Sequence, residues 1–212
     1  SLDFAEALGL VRQRGAAMQE AVPVGQGAMA AILGLEAEEI RQAAAQFADS
    51  GSCSVANYNA PGQIVIAGHT AAVEQTVEEC RRRGARRAIL LPVSAPFHSP
   101  LMAPAREALT PYLERTEFDD PEVPVVTNID AAPVTVGSDA RDALRRQVDG
   151  PVRWIESVEW MVEQGGASLF AEVGPGKVLT GLNRRITPQV KTVALNEPAG
   201  LEALHDRLEE SS

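Results

Sequence analysis

Between Gly27 and Val93, apolar and polar positions recur first with the period of a strand and then with that of a helix. In chain order the pattern predicts strand 28–35, helix 37–47, strand 52–57, a turn at 59–62, strand 63–67, helix 70–83 and strand 87–92. The resulting order, β-α-β-β-α-β, is the split βαβ arrangement.

The rest of the chain alternates helices with strands. A repeat of Phe4, Leu8 and Val11 predicts an opening helix. The later predictions are helix 101–114, strand 123–129, helix 138–148 capped by Ser138, a helix from Pro151, strand 168–173, helix 177–186, strand 191–195 and helix 201–208. The strands at 123–129 and 168–173 are almost wholly apolar, as buried parallel strands would be. The pattern therefore predicts an open α/β sheet with ligands beyond its carboxyl ends.

Composition excludes several partners. The 212 residues carry a formal net charge of −10, which argues against nucleic-acid binding because phosphate recognition needs a basic footprint. The longest apolar run, 28–35, is far shorter than the roughly 20 residues that span a bilayer. We therefore expect neither nucleic acid nor membrane as a partner.

The metal-ligating residue types are few and scattered. Cys53 and Cys80 form no C-x-x-C pair, which suits a reducing cytoplasm and gives no disulfide framework. His69, His98 and His205 lack metal-ligand spacing, so we expect no metal and no cofactor.

One histidine stands out by its setting. His98 lies between Pro96 and Pro100, just after an apolar run, on a loop that the two prolines stiffen. A histidine held this way is a candidate acid or base. The alternative, a loop histidine that bonds its own backbone, stays open on the local sequence alone.

No nucleophile for such a base is evident. No serine or cysteine lies in a G-x-S-x-G elbow, and Ser94 and Ser99, which flank His98, are not on an elbow. The segment 172–177, Glu-Val-Gly-Pro-Gly-Lys, fails the phosphate-loop pattern at Ala171 and Val178 and is better explained as a structural turn.

Arginines cluster between positions 81 and 87 of this acidic chain. The dipole at a helix C-terminus accounts for Arg81, Arg82 and Arg83. It accounts less well for Arg86 and Arg87, which follow the helix.

Taken together, these motifs resemble the malonyl-CoA:acyl carrier protein transacylases of bacterial fatty-acid synthesis and the acyltransferase domains of polyketide synthases. The resemblance covers the whole chain. It rests on R-G-x-x-M-Q-E from Arg14, G-A-M-A-A from Gly27, N-x-N-x-P-G-Q from Asn57, V-I-A-G from Val65, P-x-H from Pro96, R-x-x-L-x-x-Q from Arg141, P-V-x-W from Pro151 and E-V-G-P-G-K-V-L from Glu172.

The resemblance implies a fold and a reaction. The fold is an α/β-hydrolase-like subdomain over residues 1–26 and 94–212, interrupted by a ferredoxin-like subdomain over residues 27–93. The reaction is ping-pong: a serine takes malonyl from coenzyme A and passes it to the phosphopantetheine thiol of acyl carrier protein.

The resemblance also implies roles for individual residues. His98 would serve as base and then acid, oriented by the backbone carbonyl of Gln147. Arg14 would pair bidentately with the free carboxylate of malonyl. Further substrate-binding positions are Asn57, Asn59, Phe97 and Met18. From their charge and placement, rather than from a family motif, we predict that Arg86 and Arg87, together with Arg184 and Arg185, bind the acidic carrier protein.

The chain departs from the family pattern in one respect. The G-Q-G oxyanion segment and the G-H-S-L-G elbow, which family members carry before the position of Ser1, are absent. We therefore expect a C-terminal portion that is inactive alone and needs the missing segment as a partner. The alternatives are a polyketide-type acyltransferase or a non-catalytic module that binds carrier protein. The joint presence of Arg14, His98 and Gln147 favours an enzyme over such a module.

Overall fold

The computed structural model describes residues 2–93 and 95–209, with the backbone alone at 206, 207 and 209. Contacts divide the chain into two compact units, residues 1–154 and 155–212. Each unit is described separately below. No helix among the described residues is long and apolar enough to cross a membrane.

The first helix, α1, spans Phe4–Glu20. The Asp3 carboxylate caps it by accepting hydrogen bonds from two backbone N–H groups of the first turn. The predicted apolar repeat lies on this helix, but Phe4, Leu8 and Val11 are 77%, 55% and 67% exposed. The residue that this helix buries is Met18, near its C-terminal end.

A four-stranded sheet follows. Its elements are β1 (Gly27–Leu33), α2 (Ala37–Ala45), β2 (Cys53–Ala60), β3 (Gln63–His69), α3 (Thr70–Arg82) and β4 (Arg87–Leu90). The strand order is β2-β3-β1-β4, and every neighbouring pair is antiparallel. The elements thus occur in the order β-α-β-β-α-β.

The two helices cover one face of this sheet because their apolar stripes meet the inward side chains of the strands. Ile32, Ile40, Ile66 and Val73 are fully buried in this core. Cys80 belongs to the same core, and burial raises the pKa of its thiol to about 11. A thiol with this pKa is unreactive at neutral pH, so Cys80 acts as a small core residue.

The turn between β2 and β3 is tighter than the pattern predicted. Asn59 and Ala60 belong to the strand, and only Pro61 and Gly62 turn. The pairing of β2 with β3 shifts register twice, between Val55 and Asn57 and between Tyr58 and Ala60. Such bulges bend a strand and redirect its side chains, here on an edge strand of the sheet.

The rest of the first unit contains a 3-10 turn (Pro100–Met102), α4 (Ala103–Arg115), β5 (Val125–Thr127), β6 (Ala132–Val134) and α5 (Gly137–Gln147). Helices α1 and α4 pack together around Met18, Met102 and Leu109. This second core lies beside the loop that carries His98, since Phe97 packs against it.

Two predictions for this region are wrong. The apolar run 123–129 is not a parallel strand covered on both faces: β5 pairs antiparallel with β6, and Val123 and Val125 are 69% and 46% exposed. The chain reverses because Ala131 takes a left-handed conformation, with φ of +53°. Ser138 does not cap α5 either, since the Asp120 carboxylate accepts the N–H of Gly137, 2.9 Å away, at the start of that helix.

The second unit contains α6 (Trp154–Glu163), β7 (Leu169–Val173), α7 (Val178–Ile186), β8 (Lys191–Leu195) and α8 (Pro198–Glu209). Strands β7 and β8 are parallel. The expectation that strand 168–173 is buried is wrong within this unit, because Val173 is 81% exposed.

The Gly174–Lys177 turn connects β7 to α7. The Glu172 carboxylate accepts the N–H groups of Leu179 and Thr180, at 3.1 and 2.7 Å. The first turn of α7 is therefore capped by the protein's own carboxylate. This capping agrees with the interpretation of segment 172–177 as a structural turn. The N–H groups of Leu179 and Thr180 are already bonded to Glu172, so they are not available to a phosphate.

Candidate active site

The loop that carries His98 is fixed by a hydrogen bond within the loop and by close packing against β1. The Ser99 hydroxyl is buried and donates to the Pro96 carbonyl over 2.6 Å. Pro96 in turn packs so closely on Gly27 that a Cβ atom on this glycine would overlap the proline ring. His98 itself takes a left-handed conformation, with φ of +57°. Such strain in a non-glycine residue is held by its surroundings and is common at functional sites.

Two backbone carbonyls meet the imidazole. Nδ1 of His98 lies 3.2 Å from the oxygen of Gln147 and 3.2 Å from the oxygen of Gly150. Carbonyl oxygens only accept hydrogen bonds, so this geometry assigns the proton to Nδ1. Nε2 of neutral His98 then keeps its lone pair and can accept a proton.

Burial lowers the pKa of His98 below its ordinary value, and the nearby positive charge of Arg14 lowers it further. The carbonyls of Gln147 and Gly150 oppose this shift, because they stabilise the protonated ring. The net direction is downward. His98 is therefore neutral near pH 7, the form that a general base requires.

Arg14 is half-buried on α1, and burial lowers its pKa. Among the described residues its guanidinium has neither an ion pair nor a hydrogen bond, whereas Arg12, two positions earlier, is exposed. A guanidinium withdrawn from water with its donors unused is well suited to an anionic ligand.

The other predicted substrate-binding residues differ in how far their side chains are buried. Met18 is buried in the core between α1 and α4, and Phe97 packs against that core from the His98 loop. Asn57 and Asn59 are half-buried on β2. Asn57 also forms a parallel bridge with Val152, just after the turn that holds Gly150.

His98 borders a cleft of about 780 Å³, a volume within the range of small-molecule sites. The cleft lies between helix α2, strand β2 and the turn after α5. Its lining is mainly apolar, and its polar members besides His98 are Arg41, Ser52, Ser54, Tyr58 and Asp149. Arg41 is already bonded to Glu38 and to Tyr58.

The predicted carrier-protein-binding arginines fall into two groups. Arg86 and Arg87 are exposed where β4 begins and have no ion-pair partner among the described residues. Their neighbours Arg81, Arg82 and Arg83 are instead paired with Glu78 or Glu79. Arg184 and Arg185 lie at the end of α7 in the second unit, where Arg184 donates to Thr192 over 3.0 Å.

The sequence did not reveal the role of Gly150. Gly150 supplies the second carbonyl, and the only sequence signal for it is a Gly-Pro pair after a helix. Ser94, considered as a nucleophile, lies outside the described residues. The described residues contain no cluster of three or more metal-ligating side chains.

Comparison with known proteins shows the family of the chain. Residues 1–201 match the acyl transferase domain family, and the chain belongs to that family. Within it, the chain is 50% identical over 202 residues to the malonyl CoA-acyl carrier protein transacylase of Escherichia coli K12, covering 95% of this chain.

Solved structures give the same result. An acyl carrier protein S-malonyltransferase from Vibrio cholerae is 48% identical with a TM-score of 0.93, covering 96% of this chain and 66% of that one. A malonyl-transacylase in complex with a type II polyketide acyl-carrier protein is 45% identical, also with a TM-score of 0.93, covering 97% of this chain and 66% of that one. The chain spans only 65% of the length of the E. coli relative.

Proposed function

We propose that this chain is the histidine-bearing portion of an acyltransferase that moves malonyl from coenzyme A to the phosphopantetheine thiol of acyl carrier protein. The observation that carries the proposal is that His98, whose Nδ1 faces two carbonyls, lies near enough to Arg14 for the guanidinium charge to lower its pKa. Arg14 is half-buried and uses none of its guanidinium donors within the described residues. One group supplies a base, and the other a binding site for a carboxylate.

In the proposed mechanism a serine outside this chain is the nucleophile. Nε2 of His98 takes the serine proton as the serine oxygen attacks the thioester carbonyl. The carbon–sulfur bond breaks, and the imidazolium returns the proton to the departing thiolate. In the second half-reaction His98 deprotonates the carrier-protein thiol, which takes malonyl and leaves the serine with its proton.

Arg14 would select malonyl by binding its free carboxylate through two parallel hydrogen bonds. Its charge would also help keep His98 neutral, so that binding and base strength are coupled. The Gln147 carbonyl would fix the imidazole. Met18, Phe97, Asn57 and Asn59 are proposed to line the substrate site.

The subdomain assignment is part of the proposal. Residues 27–93 would be a ferredoxin-like insert, which the strand order β2-β3-β1-β4 supports. Residues 1–26 and 94–212 would belong to an α/β-hydrolase-like subdomain, completed by a preceding segment with the oxyanion hole and the serine. That segment is then the first partner of this chain.

We also propose a cytoplasmic location and no cofactor requirement. Cys53 and Cys80 are free thiols, which is compatible with the reducing cytoplasm predicted from the sequence. Acyl transfer through serine and histidine needs no group beyond the protein, and malonyl-CoA enters as a substrate.

A polyketide-type acyltransferase is the second candidate, favoured by the likeness to the transacylase solved with a polyketide carrier protein. It differs in pathway and carrier partner, not in chemistry. The non-catalytic module has less support, because carrier binding alone gives no reason to keep Arg14 half-buried and His98 strained.

The two half-reactions test the function. A protein that joins this chain to the preceding segment should form a covalent malonyl adduct and release coenzyme A when no carrier protein is present. Carrier protein should then remove the adduct. Binding of carrier protein without any adduct would instead support the non-catalytic module.

Reversing the charge of Arg86 and Arg87 should weaken transfer to carrier protein and leave malonyl loading nearly intact. An acidic carrier protein is repelled by a net charge of −10 unless a local basic surface attracts it, and these two arginines have no ion pair among the described residues. Arg86→Glu with Arg87→Glu is compared with wild type in both half-reactions. The defect should be larger at low salt, because screening weakens surface electrostatics.

Arg12→Glu with Arg115→Glu is the matched control, since it makes the same charge change at exposed positions of α1 and α4. It should affect transfer far less. An equal loss in the control, or no loss in the Arg86 and Arg87 variant, would remove these two arginines from the carrier surface.

A further inference from the structure

The two carbonyls that hold His98 come from one short segment, the carbonyl turn, defined as residues 147–150. The turn continues from α5 through a hydrogen bond from the Gly150 N–H to the Arg146 carbonyl, 3.1 Å long. The Gln147 side chain also donates to the Gly150 carbonyl over 3.0 Å. The position of His98 therefore depends on what fixes this turn.

Arg146, the residue immediately before the carbonyl turn, bridges two carboxylates. Its terminal nitrogens lie 2.6 and 2.7 Å from the two oxygens of Asp130, and its Nε lies 2.6 Å from Asp142. All three bonds use the planar fork of the guanidinium, which lysine cannot reproduce. The ion pair also lowers the pKa of Asp130, so the carboxylate stays charged.

Asp130 anchors Arg146 to a different part of the fold, the connection between β5 and β6. That connection is joined to the segment after the carbonyl turn by Arg153, which donates from its side chain to the Asp130 carbonyl and from its N–H to the Asn128 carbonyl, each at 2.9 Å. Ile129, next to Asp130, packs so tightly on Gly150 that a Cβ atom there would overlap it. The connection between β5 and β6 is therefore bonded to the chain on both sides of the carbonyl turn, to Arg146 before it and to Arg153 after it.

A second ion pair acts on the turn itself. Asp149, whose side chain is mostly buried, lies 2.7 Å from Nη1 of Arg106 on α4. Isolated exposed ion pairs contribute little to stability, but bidentate pairs that share a guanidinium are the exception. The pair of Arg146 with Asp130 is of this bidentate kind and fixes both the distance and the orientation of the two groups.

We propose that Arg146 and Asp130 are positioning residues for His98: they hold the carbonyl turn so that both of its carbonyls meet Nδ1 and select the tautomer with the proton on that nitrogen. The catalytic meaning of this tautomer rests on the function proposed above. The tautomer itself is a property of this chain and can be measured without any activity.

The test is the tautomer of His98, read from two-bond and three-bond ¹H–¹⁵N couplings in the histidine-labelled chain above the pH at which His98 titrates. Wild type should show the Nδ1–H form. Asp130→Asn and Arg146→Gln should shift His98 toward the Nε2–H form, which free imidazole side chains prefer in water. Asp130→Asn removes the charge at constant size, and Arg146→Gln removes the charge together with the guanidinium fork.

Arg145→Gln is the matched control, because Arg145 pairs with Asp142 but makes no bond to Asp130. It should leave the tautomer unchanged. An unchanged tautomer in folded Asp130→Asn and Arg146→Gln would overturn the positioning role, as would an equal shift in Arg145→Gln. Loss of the folded spectrum in both test variants would also overturn it in favour of a purely structural role. A wild-type chain in the Nε2–H form would instead contradict the base geometry of the proposed function.

Discussion

Replacing Arg14 with alanine in the complete enzyme is expected to remove most of its preference for malonyl over acetyl. A malonyl carboxylate would then lie in the site without its partner, and truncating one member of a buried charge pair costs about 3 kcal/mol. Since about 1.4 kcal/mol corresponds to a factor of ten, malonyl loading should fall by about two orders of magnitude relative to acetyl loading. The measurement is the ratio of the two loading rates.

Arg12→Ala is the control for this experiment, because Arg12 lies on the same helix but is exposed. It should keep the wild-type ratio. A malonyl preference that survives Arg14→Ala would contradict the assignment of Arg14, whatever the overall rate.

Replacing His98 with alanine is expected to slow malonyl loading by about 10²–10⁴-fold, the usual contribution of a general base. In wild type the base form must be neutral, so the rate should rise with pH through the pKa of His98 and then level off. Because burial and Arg14 lower this pKa, the rise should lie below about pH 6.5, the ordinary value for histidine. The measurement is the pH profile of loading.

The charge of Arg14 should affect the pH at which the loading rate rises. Removing the positive charge of Arg14 should move the rise to higher pH, and His205→Ala, at an exposed histidine of the second unit, should leave it in place. A His98→Ala variant that keeps the wild-type loading rate and the wild-type rise with pH would exclude His98 as the base.

Much of the fold was predictable because local pattern determines it. The sheet elements between Gly27 and Leu90 follow directly from periods of two and of 3.6, and their apolar faces meet in one core.

The failures have different causes, one a contact from another part of the chain and one a reversal of the chain that residue types do not reveal. Ser138 looked like a cap, but Asp120 reaches the start of α5 from another part of the chain. The run 123–129 looked like a buried strand, because an apolar run alone does not reveal whether the chain reverses at Ala131.

The same limit applies to the candidate site. The prolines identified the loop of His98, but no local signal could reveal that Gly150 offers a second carbonyl to Nδ1. Nor could it reveal that Arg146 finds a carboxylate 16 positions away at Asp130. Backbone groups and distant ion pairs leave no pattern in residue types.

In the proposed function this chain supplies the base and the binding site for the malonyl carboxylate, and another segment supplies the nucleophile. The most direct test is the intact mass of the 212-residue chain after incubation with malonyl-CoA, alone and with a polypeptide that carries the G-H-S-L-G elbow. We expect no malonyl adduct on this chain in either case, and an adduct on the added polypeptide. A malonyl adduct on this chain, in material shown by mass to be free of a second polypeptide, would make a serine of this chain the nucleophile, with Ser94 and Ser99 the first candidates, and would contradict the proposed division of the site.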